Sequence, residues 1–573
     1  MSPAPRGLVP GRAGPGPAGG DRALCAAVFG AAALGTSFWL AGGLSALLSG
    51  RRWPPVPVRA APSLLLGVLG HPRSPRLAWP RSARADVPGA VVFYATLVLL
   101  WLLLASAAAA ARHLAGASHR RADGGRRPRP GAAAAAQGSG WARRRDLAAL
   151  RVSRAGGRLV VGRAGGHLVA VERGQSLLVV GPTQSGKTSG LAIPALLEWD
   201  GPVLATSVKT DLVRDTHARR SSLGRVYVFD PVGVTPHRSA GWSPLAASTT
   251  WQGARRVAAG LCGVARAGGL DDAAFWYATA EKLLAPLLFA AASAGSSMAD
   301  VVRWVDTGET AEVMVALGLA GVPEAVRAAE ASFSREERQR SSVYTTAETV
   351  LAAYADPLVV RSCERHELDP AALLDGGRHT AYLVAPSHEQ ERLQSVFVAL
   401  VRQVVEEALT AASRLGRPLD PPLLIVLDEA ANVAPLASLD VLAATAASHG
   451  VQLVTVWQDL AQVEARFGAR ASTVVNNHRA KLYCPGIADP STLEQASRLI
   501  GDEEHAVMST TRDAEGRLST TEAVGTRRLA PAEALRCLAP GEAILLYGHL
   551  PPARLSLRPF YADRVLRRLA ASG

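Results

Sequence analysis

The chain has 573 residues, 48% of them hydrophobic, which is ample for a large core divided among about three or four units of ~150 residues. Five scattered cysteines (Cys25, Cys262, Cys363, Cys484, Cys537) lack C-x-x-C spacing, which argues against a disulfide framework or a zinc site and fits a reduced cytoplasmic interior. The net charge of +14 is no general nucleic-acid footprint: residues 1–151 carry 20 arginines against four acids, a surplus of 16, so the remainder sums to −2.

In chain order, residues 1–22 form a Pro/Gly-rich tail expected to be disordered. Leu24–Leu48 and Val87–Ala111 are each 25 residues without an ionisable side chain. A spanning helix needs ~20 apolar residues, so both are expected to cross a membrane as a hairpin at 23–111, giving a multi-pass protein of the cell membrane with its remainder in the cytoplasm. The ten arginines of Arg112–Arg151 agree with the positive-inside tendency; the seven in Ser49–Asp86 depart from it. Residues 112–150 read as a basic linker, with inner-membrane lipids as an expected partner at ~1 kcal/mol per arginine near the surface.

The apolar run Ser176-Leu-Leu-Val-Val180 leads into Gly181-Pro182-Thr183-Gln184-Ser185-Gly186-Lys187-Thr188, a complete G-x-x-x-x-G-K-[ST] loop, and Ser189 opens a helical pattern. The glycines let successive N–H groups surround phosphate oxygens. Lys187 supplies a point charge to the β- and γ-phosphates, and Thr188 a hydroxyl to Mg²⁺. Residues 181 to 189 are therefore the expected nucleotide-binding segment, with ATP and Mg²⁺ as cofactors. Further strand-like runs follow at Pro202–Ser207, Arg225–Phe229, Thr380–Val384, Leu423–Leu427, Val451–Val456 and Lys481–Cys484. Their alternation with helical patterns predicts an α/β fold with a parallel sheet covered on both faces. Between Asp230 and Thr380 the patterning is helical, which predicts an all-α domain at 246–374 inserted between halves at 151–245 and 375–573. The run Pro421-Pro-Leu-Leu-Ile-Val-Leu427 delivers Asp428 and Glu429 at its end, where Asp428 would hold Mg²⁺ and Glu429 would polarise a water. Together the two motifs predict an ATPase.

These features resemble the type IV coupling proteins of bacterial conjugation, the TraG/TraD-like membrane ATPases. The resemblance rests on the two apolar segments, the 181–188 loop, Tyr227-Val-Phe-Asp-Pro231, Trp242-Ser-Pro-Leu245 and Phe275-Trp276 in the helical insertion. It continues through Leu427-Asp-Glu-Ala-Ala-Asn432, Val456-Trp-Gln-Asp-Leu-Ala-Gln462 with Arg466-Phe-Gly468, Asn476-Asn477, and Pro551 to Tyr561. It implies a RecA-like P-loop NTPase that assembles as a homo-hexamer. The motor would couple relaxase-bound single-stranded DNA to the type IV secretion channel components and drive transfer by ATP hydrolysis. It also implies that Gln458 senses the γ-phosphate, completing a catalytic set with Lys187 and Glu429. Related motors often carry an arginine eleven residues before that glutamine, which here is Ala447; Arg466, Arg470 and Arg479 are the nearby candidates for its role. Two other readings use the same motifs: a septal chromosome or plasmid DNA translocase, and a non-hydrolysing nucleotide-binding scaffold of a secretion complex.

Overall fold

The structure is a computed structural model and describes residues 20–102, 140–263, 271–512 and 518–572. Most of the expected tail, most of the expected basic linker and the last nine residues of the second apolar segment, 103–111, lie outside the described residues. The chain divides into two compact units, residues 1–131 and 132–573.

In the first unit a helix runs from Gly20 to Leu48, followed by a short helix Ala61–Gly70 and a helical stretch at residues 90–102. Among the described residues no helix is long and apolar enough to cross a membrane. This contradicts the expected multi-pass placement in the cell membrane; the expected spans at 24–48 and 87–111 are not shown, the second lying partly outside the described residues. The physical reason lies in how the apolar residues are used. Phe38, Val56, Leu64, Val68, Trp79, Val87 and Phe93 pack on one another as a core of their own. Glycines along the continuous first helix admit that packing. A Cβ on Gly42 would come within 2.2 Å of the Trp79 ring, and one on Gly43 within 2.3 Å of the Trp53 ring. The arginines between the two apolar segments also have internal partners: Arg51 donates to the carbonyls of Ala85 and Val87, and Arg84 to those of Trp79 and Leu77.

The second unit is built on strands β1 (Arg151–Val152), β2 (Val160–Ala164), β3 (His167–Ala170), β4 (Leu177–Val180), β5 (Val203–Ser207), β6 (Val226–Phe229), β7 (Thr380–Val384), β8 (Leu423–Leu427), β9 (Val451–Trp457), β10 (Ala480–Tyr483), β11 (Asp502–Arg512), β12 (Leu518–Arg528), β13 (Glu542–Tyr547) and β14 (Ala553–Ser556). Twelve of them form one sheet in the order β1-β3-β2-β14-β13-β10-β4-β9-β8-β5-β7-β6, and β11 pairs with β12 as a separate hairpin. From β10 to β6 every neighbouring pair is parallel; from β1 to β10 every pair is antiparallel. The sheet is therefore mixed, where continuous parallel pairing is expected from the apolar runs.

The strands β4, β5, β7, β8 and β9 are buried along their whole length. Such continuous apolar runs form where helices cover both faces. Side chains alternate across the sheet. Leu178 and Val180 enter a core with the helix Gln390–Leu415 and the helical segment, whereas Leu177 and Val179 pack on the other face with Leu196 and Leu566. Between β6 and β7 the described chain is helical, from Trp251–Leu261 through Asp271–Ala294 to Pro370–Leu373. These helices share one continuous core with the sheet, since Leu283 and Leu317 belong to the same cluster as Leu204 and Phe229.

Candidate active site

Adjacent parallel strands bring the site together at the carboxyl edge of the sheet. β9 lies between β4 and β8, and its register pairs Trp457 with Val180 and Thr455 with Leu427. Gly181, Gln458 and Asp428 follow directly on these strand ends, so residues from three distant stretches emerge side by side. Open parallel sheets bind their ligands at this edge.

From β4 the chain turns tightly back on itself. Gln184 and Gly186 have φ values of 64° and 86°; the left-handed region is free for glycine but costs a residue such as Gln184 about 1–3 kcal/mol. Gly181 passes so close to β10 that an added Cβ would lie 2.7 Å from Cys484 Cβ and 2.8 Å from Ser185 Oγ. The Lys187 ammonium donates to the carbonyls of Gly181 and Pro182, with Ser185 Oγ at 3.4 Å. Burial lowers its pKa, while the Cys484 thiol and the carboxylates of Asp428 and Glu429 act the other way. Thr188 begins a π-helical turn, Thr188–Ala192, that runs into the helix Ile193–Glu198; such turns recur at functional sites.

The acidic pair faces this turn. Thr188 Oγ1 donates to Asp428 Oδ2 at 3.3 Å, and Thr206 Oγ1, near the end of β5, donates to the Asp428 carbonyl at 3.3 Å. Burial, and then the neighbouring Glu429, push the Asp428 carboxyl up to about 6, against the pull of Lys187 and the Thr188 hydroxyl. Glu429 has a left-handed φ of 55°. Its carbonyl accepts from Asn432 N–H at 2.9 Å and Val433 N–H at 3.1 Å, which hold that turn.

Gln458 lines the same cavity as Lys187, Asp428 and Glu429. Its backbone N–H donates to Gln462 Oε1 at 3.0 Å, and Asp459 caps the helix Leu460–Phe467 through Gln462 N–H at 2.9 Å. Beneath it runs a buried chain: Trp457 Nε1 donates to Thr455 Oγ1 at 3.0 Å, which is 3.1 Å from His478 Nε2. Burial pushes the His478 ring down to about 4, so it is neutral near pH 7.

The cavity has a volume of about 790 Å³. Residues 182 to 189 form one wall, and the residues after β8 and β9 another. Sequence reasoning missed the remainder. Lys209 and Asp211 enter after β5; Arg536, Pro559 and Tyr561 enter from the C-terminal part. For Lys209 a signal existed, since it is one of only four lysines in the chain. The arginine candidates are placed elsewhere. Arg470 pairs with Asp440 at 3.4 Å; Arg479 lies 3.8 Å from Glu172 and 5.3 Å from the centre of the Tyr547 ring; burial lowers the pKa of Arg466. None of the three lines the cavity. Ala447 packs against a turn, where a Cβ on Gly174 would come within 2.8 Å of its Cα.

The donor set fits Mg²⁺ with a triphosphate. Among the described residues no group of three or more His, Cys, Asp and Glu side chains could hold a metal alone. One carboxylate and one hydroxyl, Asp428 and Thr188, is the sparse all-oxygen set that Mg²⁺ takes when phosphates complete its shell. The glycine-lined loop offers the close backbone approach that phosphates need.

Comparison with known proteins follows this geometry. The family model described as Type IV secretory system Conjugative DNA transfer matches residues 140–570. Conjugal transfer protein TraG of Escherichia coli is 28% identical over 411 residues, covering 63% of this chain and 61% of that protein. Protein VirD4 of Agrobacterium fabrum is 25% identical over 412 residues, covering 68% of this chain and 59% of that protein. The chain thus spans less than two thirds of the length of these relatives. Among solved structures, the bacterial conjugative coupling protein TrwBdeltaN70 in complex with sulphate aligns with a TM-score of 0.57 at 20% identity, covering 73% of this chain and 93% of that one. Plasmid coupling protein TrwB in complex with ADP and Mg²⁺ aligns with a TM-score of 0.56 at 18% identity, covering 74% and 94%. At these identities the likeness establishes a shared α/β fold.

Proposed function

This chain belongs to the type IV secretory conjugative DNA-transfer family, and from that premise we propose that it is a coupling ATPase. It binds ATP with Mg²⁺ and uses hydrolysis to pass relaxase-bound single-stranded DNA to a type IV secretion channel, working as a homo-hexamer. The observation that carries this reading is the 3.3 Å contact between Thr188 and Asp428 in one cavity with Lys187, Glu429 and Gln458.

In this reading Thr188 and Asp428 would hold Mg²⁺, which when bound would supply positive charge to the transferring phosphoryl group, and the loop from Gly181 to Ser189 would surround the phosphates. Lys187 turns its ammonium from the carbonyls of Gly181 and Pro182 to the β- and γ-phosphates. Glu429 orients the attacking water and draws on its proton, while Gln458 contacts the γ-phosphate. The nucleotide complexes named for TrwB, with ADP and Mg²⁺ and with non-hydrolysable GTP and ATP analogues, support it. The halves 151–245 and 375–573 form the motor, and the helical segment 246–374 takes part in cargo choice.

Phosphate release from the full chain, measured with and without single-stranded DNA, tests the motor reading. Single-stranded DNA is expected to raise turnover several-fold. Turnover that DNA leaves unchanged would contradict a DNA-coupled motor.

A further inference from the structure

The segment from Leu557 to Asp563 lies along the same cavity and is firmly anchored. Phe560 N–H donates to the Ser189 carbonyl at 3.0 Å, and Arg558 N–H to that of Gly190 at 3.4 Å. Leu557 fills the space beside Gly190, where an added Cβ would approach it to 3.1 Å. The buried Arg558 guanidinium binds both Glu198 oxygens, at 2.8 and 2.9 Å, and Asp563 at 3.1 Å. The N–H groups of Ala562 and Asp563 both donate to the Pro559 carbonyl, at 2.9 and 3.0 Å, closing a tight turn around Phe560 and Tyr561. On this fixed turn Tyr561 is 60% exposed, lines the cavity, and stands edge-on to Phe560 with ring centres 5.6 Å apart. A large ring held out on an anchored turn at a cavity wall is pre-organised for stacking.

The direction of a bound triphosphate follows from the loop. Lys187 serves the β- and γ-phosphates, and Asp428 and Gln458 stand on that side; the nucleoside end must leave past the outgoing turn at Thr188 and Ser189. Ser189 is the residue to which the C-terminal segment is bonded. Arg536, whose carbonyl accepts from Gly486 N–H at 3.3 Å, lines the cavity as well.

We infer that Tyr561 is the base-stacking wall of this site, with Leu557 and Pro559 as its apolar flank. The inference rests on the nucleotide reading above and adds the base subsite to it. From the C-terminal part of the chain the cavity is lined by Arg536, Leu538, Pro540, Leu557, Pro559 and Tyr561.

Calorimetric titration of the full chain with Mg²⁺ and three probes tests it: the β,γ-imido analogues of ATP and GTP, and inorganic tripolyphosphate. Tyr561→Ala is expected to weaken both analogues by about tenfold, about 1.4 kcal/mol, and to leave tripolyphosphate within about twofold. Tyr561→Phe should match native protein. Unchanged analogue binding by Tyr561→Ala, or an equal loss for tripolyphosphate, would overturn the stacking role. Native protein that binds none of the three probes would instead overturn the nucleotide reading itself, and the base subsite with it.

Discussion

Lys187→Ala is expected to lower ATP turnover by roughly 10²–10³-fold, the usual effect of deleting one electrostatic donor aimed at developing charge, while leaving the melting temperature unchanged or slightly raised. The two halves of this result have separate causes. In activity, Lys187 is the cation at the mouth of the loop, and alanine leaves the β- and γ-phosphates without it. In stability, the ammonium's hydrogen-bond partners are oxygens of its own loop, the carbonyls of Gly181 and Pro182 and the Ser185 hydroxyl. Burial lowers its pKa, so the fold disfavours the charged form, and removing that charge relieves a cost. Thermal melting beside a phosphate-release assay checks both halves. A variant that melts much earlier than native protein would show Lys187 to be a structural residue.

Arg558→Ala should show the opposite emphasis, a loss of about 3–5 kcal/mol of stability, with activity falling as the fold and the Tyr561 turn it anchors loosen. The guanidinium is 4% exposed and is held by Glu198 and Asp563, while Asp563 also accepts from Arg163 at 3.1 Å. Alanine leaves two partly buried carboxylates short of their shared cation. It also loosens Asp563, which caps the helix Arg564–Ala571 through the N–H groups of Val565 and Leu566. Lysine at this position should rescue only part, because a point charge cannot reproduce the bidentate fork. Acid adds a second signature. Burial alone would raise the Asp563 carboxyl, but Arg558 and Arg163 outweigh it and hold it down at about 2. A carboxyl depressed in the folded state contributes stability that is present above its ordinary range near 3.8 and is lost as pH falls toward 2. Melting temperature should therefore fall through that window in native protein, and the fall should shrink in Arg558→Ala.

The parallel half of the sheet was legible because its strands are short runs rich in apolar residues, and several end on a chemical motif. Leu177–Val180 leads to the glycine loop and Leu423–Leu427 to the acidic pair, so strand and site residues announced one another. The antiparallel half lacked such a signal: β2 reads Val-Val-Gly-Arg-Ala, and β14 alternates buried with exposed residues in only four positions. That half returns Pro559 and Tyr561 to a loop more than 350 residues earlier, through the pairing of β13 with β10 and β14. No local pattern encodes such a return. The first unit misled for a related reason. Counting apolar residues at 24–48 measures length but cannot show that Gly42 and Gly43 exist to receive the rings of Trp79 and Trp53.

The central claim, that the cavity at the end of β4, β8 and β9 hydrolyses nucleotide, is tested most directly by Glu429→Gln. Glutamine keeps the size and the polar contacts of the side chain but cannot take a proton from water, so binding and turnover should separate. ATP affinity and phosphate release are to be measured on the same preparation of native and variant chains. The account predicts ATP affinity within about twofold of native and turnover lowered by roughly 10²–10⁴-fold, the range ascribed to a positioned general base. Phosphate release by Glu429→Gln at the native rate, with ATP affinity unchanged, would contradict it.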